Sequence, residues 1–232
     1  MFDATAEFYD GLYEWKDYPS EVARIGEIVS ARVPHAETLL DVACGTGKHL
    51  ELLQERFEVA GIDLQPELVQ ICRDRLPGGD IREADMVDFD LGRTFDVVTN
   101  LFSSIGYVVT IERLRSCAAA MAKHLSPRGV MLVEPWFTPD RWMSGHVGTL
   151  NAEMADGTQV VRMMTGTAKD SVSRMVAHYL IGSGEEIRHL TEEHALGLFT
   201  VEQYIEAFER AGLAVDWDPD GLMGRGLIIA TK

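Results

Sequence analysis

Basic residues are scarce in this sequence. Its 232 residues carry 21 Lys and Arg against 37 Asp and Glu, a formal net charge of −16, so the phosphates of a nucleic acid and an anionic lipid surface would both repel it. Neither a nucleic acid nor a membrane is therefore expected as a partner. Cysteine is also rare. Cys44, Cys72 and Cys117 are scattered and odd in number, which argues against a disulfide framework or a zinc knuckle, leaves no expected metal site, and fits a reducing cytoplasm. Long apolar runs are missing: none approaches the roughly 20 residues of a membrane-spanning helix. The opening stretch, MFDATAEFYDGLYEWKDY, carries acids and aromatics where a signal peptide would carry basic residues and an apolar core.

What is present is an alternation of strand and helix signals, in a chain sized for one α/β domain with an inserted lobe. SEVARIGEIVSARV (20–33) has apolar residues at helical spacing and ends at Pro34. TLLDVA (38–43) reads as the first strand, KHLELLQERF (48–57) as a helix, EVAGID (58–63) as the second strand, and QPELVQICRDRL (65–76) as a helix with Pro66 in its first turn. Strands follow near DIREAD (80–85) and FDVVTNLF (95–102). IERLRSCAAAMAKHL (111–125) is then a helix, broken by Ser-Pro-Arg-Gly before the strand GVMLVEPW (129–136). This rhythm predicts a doubly wound, mostly parallel seven-stranded sheet. Beyond Pro135 it changes. Residues 137–157 are rich in Gly, Asp, Thr, Met and Trp, and three β-like runs follow with no helix between them: 159–168, 173–182 and 186–199. We read 137–199 as an antiparallel β lobe for the substrate, inserted in a domain of residues 1–136 and 200–232. The helix from Thr200 to Gly212, opened by a Thr-x-x-Gln box, and two last strands complete the sheet.

The sharpest local signal is LLDVACGTGKHL (39–50), a strand that breaks into a glycine turn before a helix. A Walker loop would need a glycine five residues before Gly47 and a Ser or Thr after Lys48, where Val42 and His49 stand. A dinucleotide fingerprint needs a third glycine where Leu50 stands, so NAD remains only as the alternative. What remains is Asp-x-x-x-Gly-x-Gly after the first strand, Asp63 at the tip of the second, and Asp85-Met86 past the third. S-adenosylmethionine suits that set. It has no phosphates, but it has an ammonium and a ribose diol that seek acceptors, and an adenine that seeks a slot. Asp63 can accept from ribose hydroxyls, Asp85 from the adenine amine with Met86 on the ring, and bare backbone from Ala43 to Gly47 admits the methionine end.

On AEFYDGLYEWKDY, LLDVACGTGKHL, DMVDFDLGRTFDVVT, FSSIGY, KHLSPRGV, VEPW, LGLFTVEQYIEAFERAGL and GRGL, the whole chain resembles a class I S-adenosylmethionine-dependent methyltransferase. Within that class it resembles the bacterial N,N-dimethyltransferases that act on nucleotide-linked 3-amino deoxysugars in antibiotic pathways. The resemblance implies a Rossmann-like methyltransferase fold and S-adenosyl-L-methionine as cofactor. It places Tyr9, Tyr18, Ala43, Gly45, Gly47, Asp63, Leu64, Asp85 and Met86 around the cofactor, and Leu101 and Phe102 beside the sulfonium. On the substrate side it places Tyr107, Trp136, His178 and Arg225, with Tyr107, Glu134 and His178 as candidate catalytic groups. Where that family is expected to have His after Ser-Ser-Ile-Gly, this sequence has Tyr107. An unperturbed phenol of pKa about 10 donates a hydrogen bond where an imidazole could act as a base.

The expected activity is therefore methyl transfer to a small molecule, with an amine as acceptor. An O-methyltransferase, another displacement such as cyclisation, and a non-catalytic S-adenosylmethionine-binding module are the alternatives. The aromatic segment 1–19 is read as a lid, and the lobe's edge as a surface for a homodimer. His189 and His194, five apart on one strand, face opposite sides and make poor joint metal ligands.

Overall fold

The computed structural model describes residues 5–232. Its central sheet is built from β1 (Thr38–Val42), β2 (Glu58–Asp63), β3 (Asp80–Glu83), β4 (Phe95–Asn100), β5 (Leu125–Val133), β10 (Ala214–Asp218) and β11 (Leu227–Thr231). The order is β10-β11-β5-β4-β1-β2-β3. Strands β1 to β5 are parallel, and β11 runs antiparallel to both β5 and β10. From β1 the chain moves outward through β2 to β3, then returns to place β4 on the other flank of β1. A crevice opens at the carboxyl ends of strands at such a reversal.

Short buried strands pin helices to both faces. On one face α5 (Ile111–Lys123) and α6 (Val201–Arg210) set Leu114, Cys117, Met121, Tyr204 and Phe208 against Leu40, Val98 and Met131. On the other, α2 (Tyr18–Arg32), α3 (Lys48–Leu53) and α4 (Pro66–Arg75) set Ile25, Val29, Leu50, Val69 and Cys72 against Leu39, Val97 and Leu132. Adjacent residues such as Leu39 and Leu40 serve opposite clusters, as strand periodicity requires. Each buried Leu, Ile or Val contributes about 1.5–3 kcal/mol. The Asp17 side chain accepts from Ser20 N at the start of α2, and Thr200 and Gln203 form the capping box of α6. No helix of the described residues is long and apolar enough to cross a membrane.

The four strands β6 (Val147–Glu153), β7 (Gln159–Lys169), β8 (Val172–Ser183) and β9 (Glu186–Gly197) form a separate antiparallel sheet in that order. Two sequence expectations are corrected here. Beyond the three β-like runs the lobe has a fourth strand, β6: Gly148, Leu150 and Ala152 give its inner face too little apolar bulk to reveal the alternation, and pairing with β7 supplies the order that propensity lacks. Ser-Pro-Arg-Gly does not separate helix from strand either. The strand β5 begins at Leu125, which pairs with Phe95, and a register shift between Phe95 and Val97 accommodates the proline.

The turn from β1 to α3 depends on Gly47, which has φ +78° and leaves room for Cys72: a Cβ there would come within 2.5 Å of Cys72 Sγ. We expect Gly47→Ala to destabilise the protein by about 2–4 kcal/mol, from left-handed strain and overpacking together. Urea unfolding checks this, and a loss under 1 kcal/mol would show that the turn relaxes around the methyl group.

Candidate active site

A cavity of about 500 Å³ opens at the carboxyl ends of β1, β2 and β4, with the inner face of the lobe as its opposite wall. Its floor is acidic. Asp63 Oδ2 accepts from Gly45 N and Oδ1 from Gln65 N, both at 2.9 Å, so one carboxylate ties the turn after β1 to the turn after β2. Burial raises its pKa, against the lowering by those amides. Asp41 is 2% exposed and lines the same floor. Burial pushes its carboxyl up to about 7; the Thr99 hydroxyl, donating at 2.7 Å, opposes this and the nearby Asp63 adds to it. Ala43 and Gly45 have φ of 60° and 56°, and a Cβ built on Gly45 would meet no protein atom within 4 Å. The bare backbone therefore faces open space in the cavity.

Leu64, Met86, Leu101 and Phe102 add an apolar side, and Asp85 lies at its edge. Asp85 also serves its own turn, accepting from Val87 N at 3.1 Å, and it pairs with Arg113 at 3.1 Å. Gly47, grouped with the cofactor residues in the sequence, is not on the cavity surface; its bareness serves helix packing against Cys72.

The wall beyond β4 is held in an uncommon shape. Phe102 and Ser103 both take left-handed φ, 53° and 63°, at a cost of about 1–2 kcal/mol each. Glu134, fully buried at the end of β5, accepts from Phe102 N at 2.7 Å; Ser103 Oγ donates to Pro135 O at 2.7 Å; and Arg225 Nη1 donates to Ser103 Oγ at 2.9 Å. Glu134 thus lies behind the wall rather than in the cavity. Burial raises its pKa, with the Arg225 and Lys16 cations opposing. Arg225 and Trp136 do reach the cavity surface, and the guanidinium lies 5.5 Å from the Trp136 ring and 5.0 Å from that of Phe137.

The N-terminal segment closes one side with Tyr9, Tyr13, Trp15 and Tyr18. Tyr13 packs edge-on to Phe102 at 5.0 Å, and its hydroxyl accepts from Arg162 of β7 at 2.8 Å. Thr46 Oγ1 donates to Asp10 Oδ1 at 2.7 Å, and Arg75 bonds both Asp10 and the Thr46 carbonyl. Buried Lys16 pairs with Glu21, whose other oxygen meets His49 Nε2 at 2.8 Å. Residues 1–4 of the segment read as a lid lie outside the described residues.

The lobe contributes Arg162, Met164, Met175, His194 and Leu196 to the cavity, and Arg141 and His146 come from the chain leading into it. His178 does not belong to this set. On β8 the inward residues are Met175, Ala177 and Tyr179, so His178 points outward, exposed, with Nδ1 3.0 Å from His189 Nε2 and the two rings stacked. The same parity puts His194 inside, 3.1 Å by Nδ1 from the Tyr107 hydroxyl. Sequence reasoning counted Asp41 in the glycine motif without assigning it a contact, and did not group Arg162 or His194 with the site. Strand periodicity counted from the apolar Leu196 could have found His194, since the two share a face.

These residues fit S-adenosylmethionine. Asp41 and Asp63 provide buried acceptors for an ammonium and a diol, Met86 and Leu64 an apolar slot, and Gly45 the unobstructed backbone. A "Methyltransferase domain" family model matches residues 39–129, from β1 into β5. The dTDP-3-amino-3,4,6-trideoxy-alpha-D-glucopyranose N,N-dimethyltransferase of Streptomyces venezuelae is 39% identical over 228 residues, covering 97% of this chain and 96% of its own. The crystal structure of Streptomyces venezuelae DesVI superposes with a TM-score of 0.91 at 38% identity, covering 99% of this chain and 97% of that one. The S-adenosylmethionine-bound structure of CalS10, an amino pentose methyltransferase from Micromonospora echinaspora, gives 0.87 at 38% identity over 100% and 97%. With this fold and more than a third of its residues shared with these proteins along nearly its full length, this chain belongs to the S-adenosylmethionine-dependent methyltransferases, alongside the amino-sugar N-methyltransferases.

Proposed function

We propose that this enzyme methylates the amino group of a nucleotide-linked amino deoxysugar. The observation that carries this reading is the division of charge within one cavity. The floor is carboxylate, whereas Arg141, His146 and Arg162 reach the cavity from the lobe and its approach, and Arg225 from the loop between β10 and β11. In a chain of net charge −16, gathered arginines suit a substrate that brings a diphosphate, which a guanidinium binds in bidentate fashion.

When bound, S-adenosylmethionine would supply a sulfonium methyl that an amine attacks in line, S-adenosylhomocysteine leaving as the carbon–sulfur bond breaks. The protein's own work is then alignment and exclusion of water. Asp63 and Asp41 hold the donor end. Phe102, fixed by Glu134 behind it, and the tyrosines of the N-terminal segment form dry walls between the donor and substrate sides. We read the described part of the N-terminal segment, residues 5–19, as the lid over this passage and 137–199 as the substrate lobe, because Arg162 and Tyr13 join the two across the cavity. The lobe's outer face carries exposed Val161, Met163, Leu180 and Ile187; we assign it to a homodimer, which light scattering at monomer mass would refute. The cysteines, all free and buried, accord with a cytoplasmic setting.

The direct test is incubation of the protein with S-adenosylmethionine and a set of thymidine-diphosphate amino deoxysugars, with mass spectrometry of the products. The reading expects gains of one and two methyl groups on the amino sugar and none on the corresponding hydroxy sugar; methylation of the hydroxy sugar alone would contradict it. Asp41 generates a second expectation. With its folded pKa near 7, against 3.8 unperturbed, the native chain holds a proton that the unfolded chain lacks between roughly pH 4 and 7, so the unliganded protein loses stability as pH rises through that window. Ligand binding at an ionised carboxylate runs the other way. Affinity for S-adenosylhomocysteine should rise about thirtyfold from pH 5.5 to 8, the tenfold per pH unit of proton linkage acting over the roughly 1.5 units below that pKa. Asp41→Asn should flatten that slope and raise the melting temperature of the free protein at pH 8. Calorimetric titration across pH and thermal melts measure both, and an unchanged slope would remove Asp41 from the donor site.

A further inference from the structure

An amine attacks only with a free lone pair, and an aliphatic amine arrives at neutral pH mostly as ammonium. Some group must take its proton before each methyl transfer. Glu134 lies behind the wall and His178 on the outer face, so neither can do this. His49 is held against Glu21 beside the glycine turn, and His146 is exposed at the lobe's edge. His194 differs. It is 5% exposed on the inner face of β9, it lines the cavity, and its Nδ1 stands 3.1 Å from the Tyr107 hydroxyl. Its Nε2 lies 3.6 Å from Glu192 Oε2, two residues away on the same strand face. Glu192 is fixed in turn by Tyr179, whose hydroxyl donates at 3.0 Å, and by the Thr5 hydroxyl.

We propose that Tyr107, His194 and Glu192 form a proton relay that deprotonates the substrate ammonium, with Tyr107 touching the amine and His194 as the acceptor. The proposal rests on the reading that the methyl acceptor is an amine. The facing carboxylate favours the tautomer with hydrogen on Nε2, which leaves Nδ1 to accept from Tyr107. In the step, an ammonium N–H bond breaks and the amine keeps the electron pair. Its proton bonds to the Tyr107 oxygen as the phenol's own proton moves to His194 Nδ1. The products are a neutral amine, an intact phenol and an imidazolium beside the Glu192 carboxylate. After methyl transfer the amine is again an ammonium, so the relay must discharge its proton to solvent and act once more for a second methyl.

The fold presents these groups to one another. The short 3₁₀ segment Ser104–Val108 packs against β9, and at Gly106 a Cβ would meet Leu196 and Trp136 atoms at 2.9 Å. The glycine lets Tyr107 come under His194. Among the described residues, the groups facing the pair include Glu192 on β9, Tyr179 on β8, Arg162 on β7 and Tyr13 from the N-terminal segment. Burial, with Tyr13, Tyr179 and Glu192 adding to it and Arg162 opposing, pushes the Tyr107 phenol well up, so it passes a proton without persisting as phenolate. Burial alone would push Glu192 up, yet bonds from His194, Thr5 and Tyr179 hold its carboxyl below the usual range, so it stays charged opposite the imidazolium. The imidazole absent from position 107 is thus supplied across the cavity by position 194.

His194→Gln and Tyr107→Phe test the relay. Each should lower kcat at pH 7 about 100-fold, leave S-adenosylhomocysteine affinity unchanged, and change KM for the amino sugar little; the double variant should be no slower than either single. The deficit should shrink as pH rises, because more amine then arrives neutral. Nitrogen-15 spectra of the histidine rings, read with S-adenosylhomocysteine bound, should show His194 turning from neutral to imidazolium when the amino sugar is added. An equal deficit at every pH, or a ring that stays neutral, would overturn the relay while leaving the substrate reading intact. A wild-type enzyme that transfers no methyl to any amino deoxysugar nucleotide would overturn both.

Discussion

The site is organised by one short contact, the Asp63 carboxylate on the Gly45 amide at 2.9 Å. It joins the two turns that leave β1 and β2, and the strands beneath are in parallel register from Thr38–Glu58 to Val42–Ile62. Gly45 can offer its amide this way because it accepts a positive φ, and its missing side chain leaves the cavity open above. The carboxylate accepts amides from below and presents its remaining lone pairs to the cavity. One residue therefore shapes the turn and presents an acceptor to the ligand, so the fold and the donor site cannot be altered independently there.

A second constraint acts across the cavity. The acids that suit the donor end would repel a phosphorylated substrate, and the chain separates the two by placing arginines on the far wall. The lobe makes that wall possible. Its inner face alternates Arg162 and Met164 on β7 with Tyr179, Ala177 and Met175 on β8 and with Glu192, His194 and Leu196 on β9. Each polar member is satisfied by a neighbour: Arg162 by Tyr13, Glu192 by Tyr179 and Thr5, His194 by Tyr107. The arrangement couples lobe, N-terminal segment and core through polar contacts that need all three in place.

Most of the sheet was legible in the sequence, because parallel strands buried on both faces read as apolar runs and the helices between them carry caps and 3.6-residue stripes. Pro66 in the first turn of α4 and the Thr200 box opening α6 lie where the sequence signals pointed, whereas α2, read as opening at Ser20, begins at Tyr18 under an Asp17 cap. The strand β6 was not legible, since its order comes from β7 rather than from its own residues. Near the site, local signals located Ala43, Gly45, Asp63, Asp85 and Met86, which the cavity does gather, because each sits at the tip of a strand. Glu134 and His178 were misplaced for geometric reasons: one points into the interior at the end of β5, and the other lies on the wrong parity of β8. Arg162 needed the lobe's register, which no pattern in the chain announces, whereas His194 shares a face with Leu196 and could have been placed by periodicity alone.

The account's central claim is that the bare turn and acidic floor receive S-adenosylmethionine rather than a phosphorylated cofactor. Calorimetric titration of the purified protein with S-adenosylhomocysteine, with NAD as the control, tests it most directly. The account predicts one site that binds S-adenosylhomocysteine, weakened by about 1.5–3 kcal/mol in Asp63→Ala through loss of charge-assisted hydrogen bonds, and no heat with NAD. Binding of NAD alone, or affinity that Asp63→Ala leaves unchanged, would contradict it.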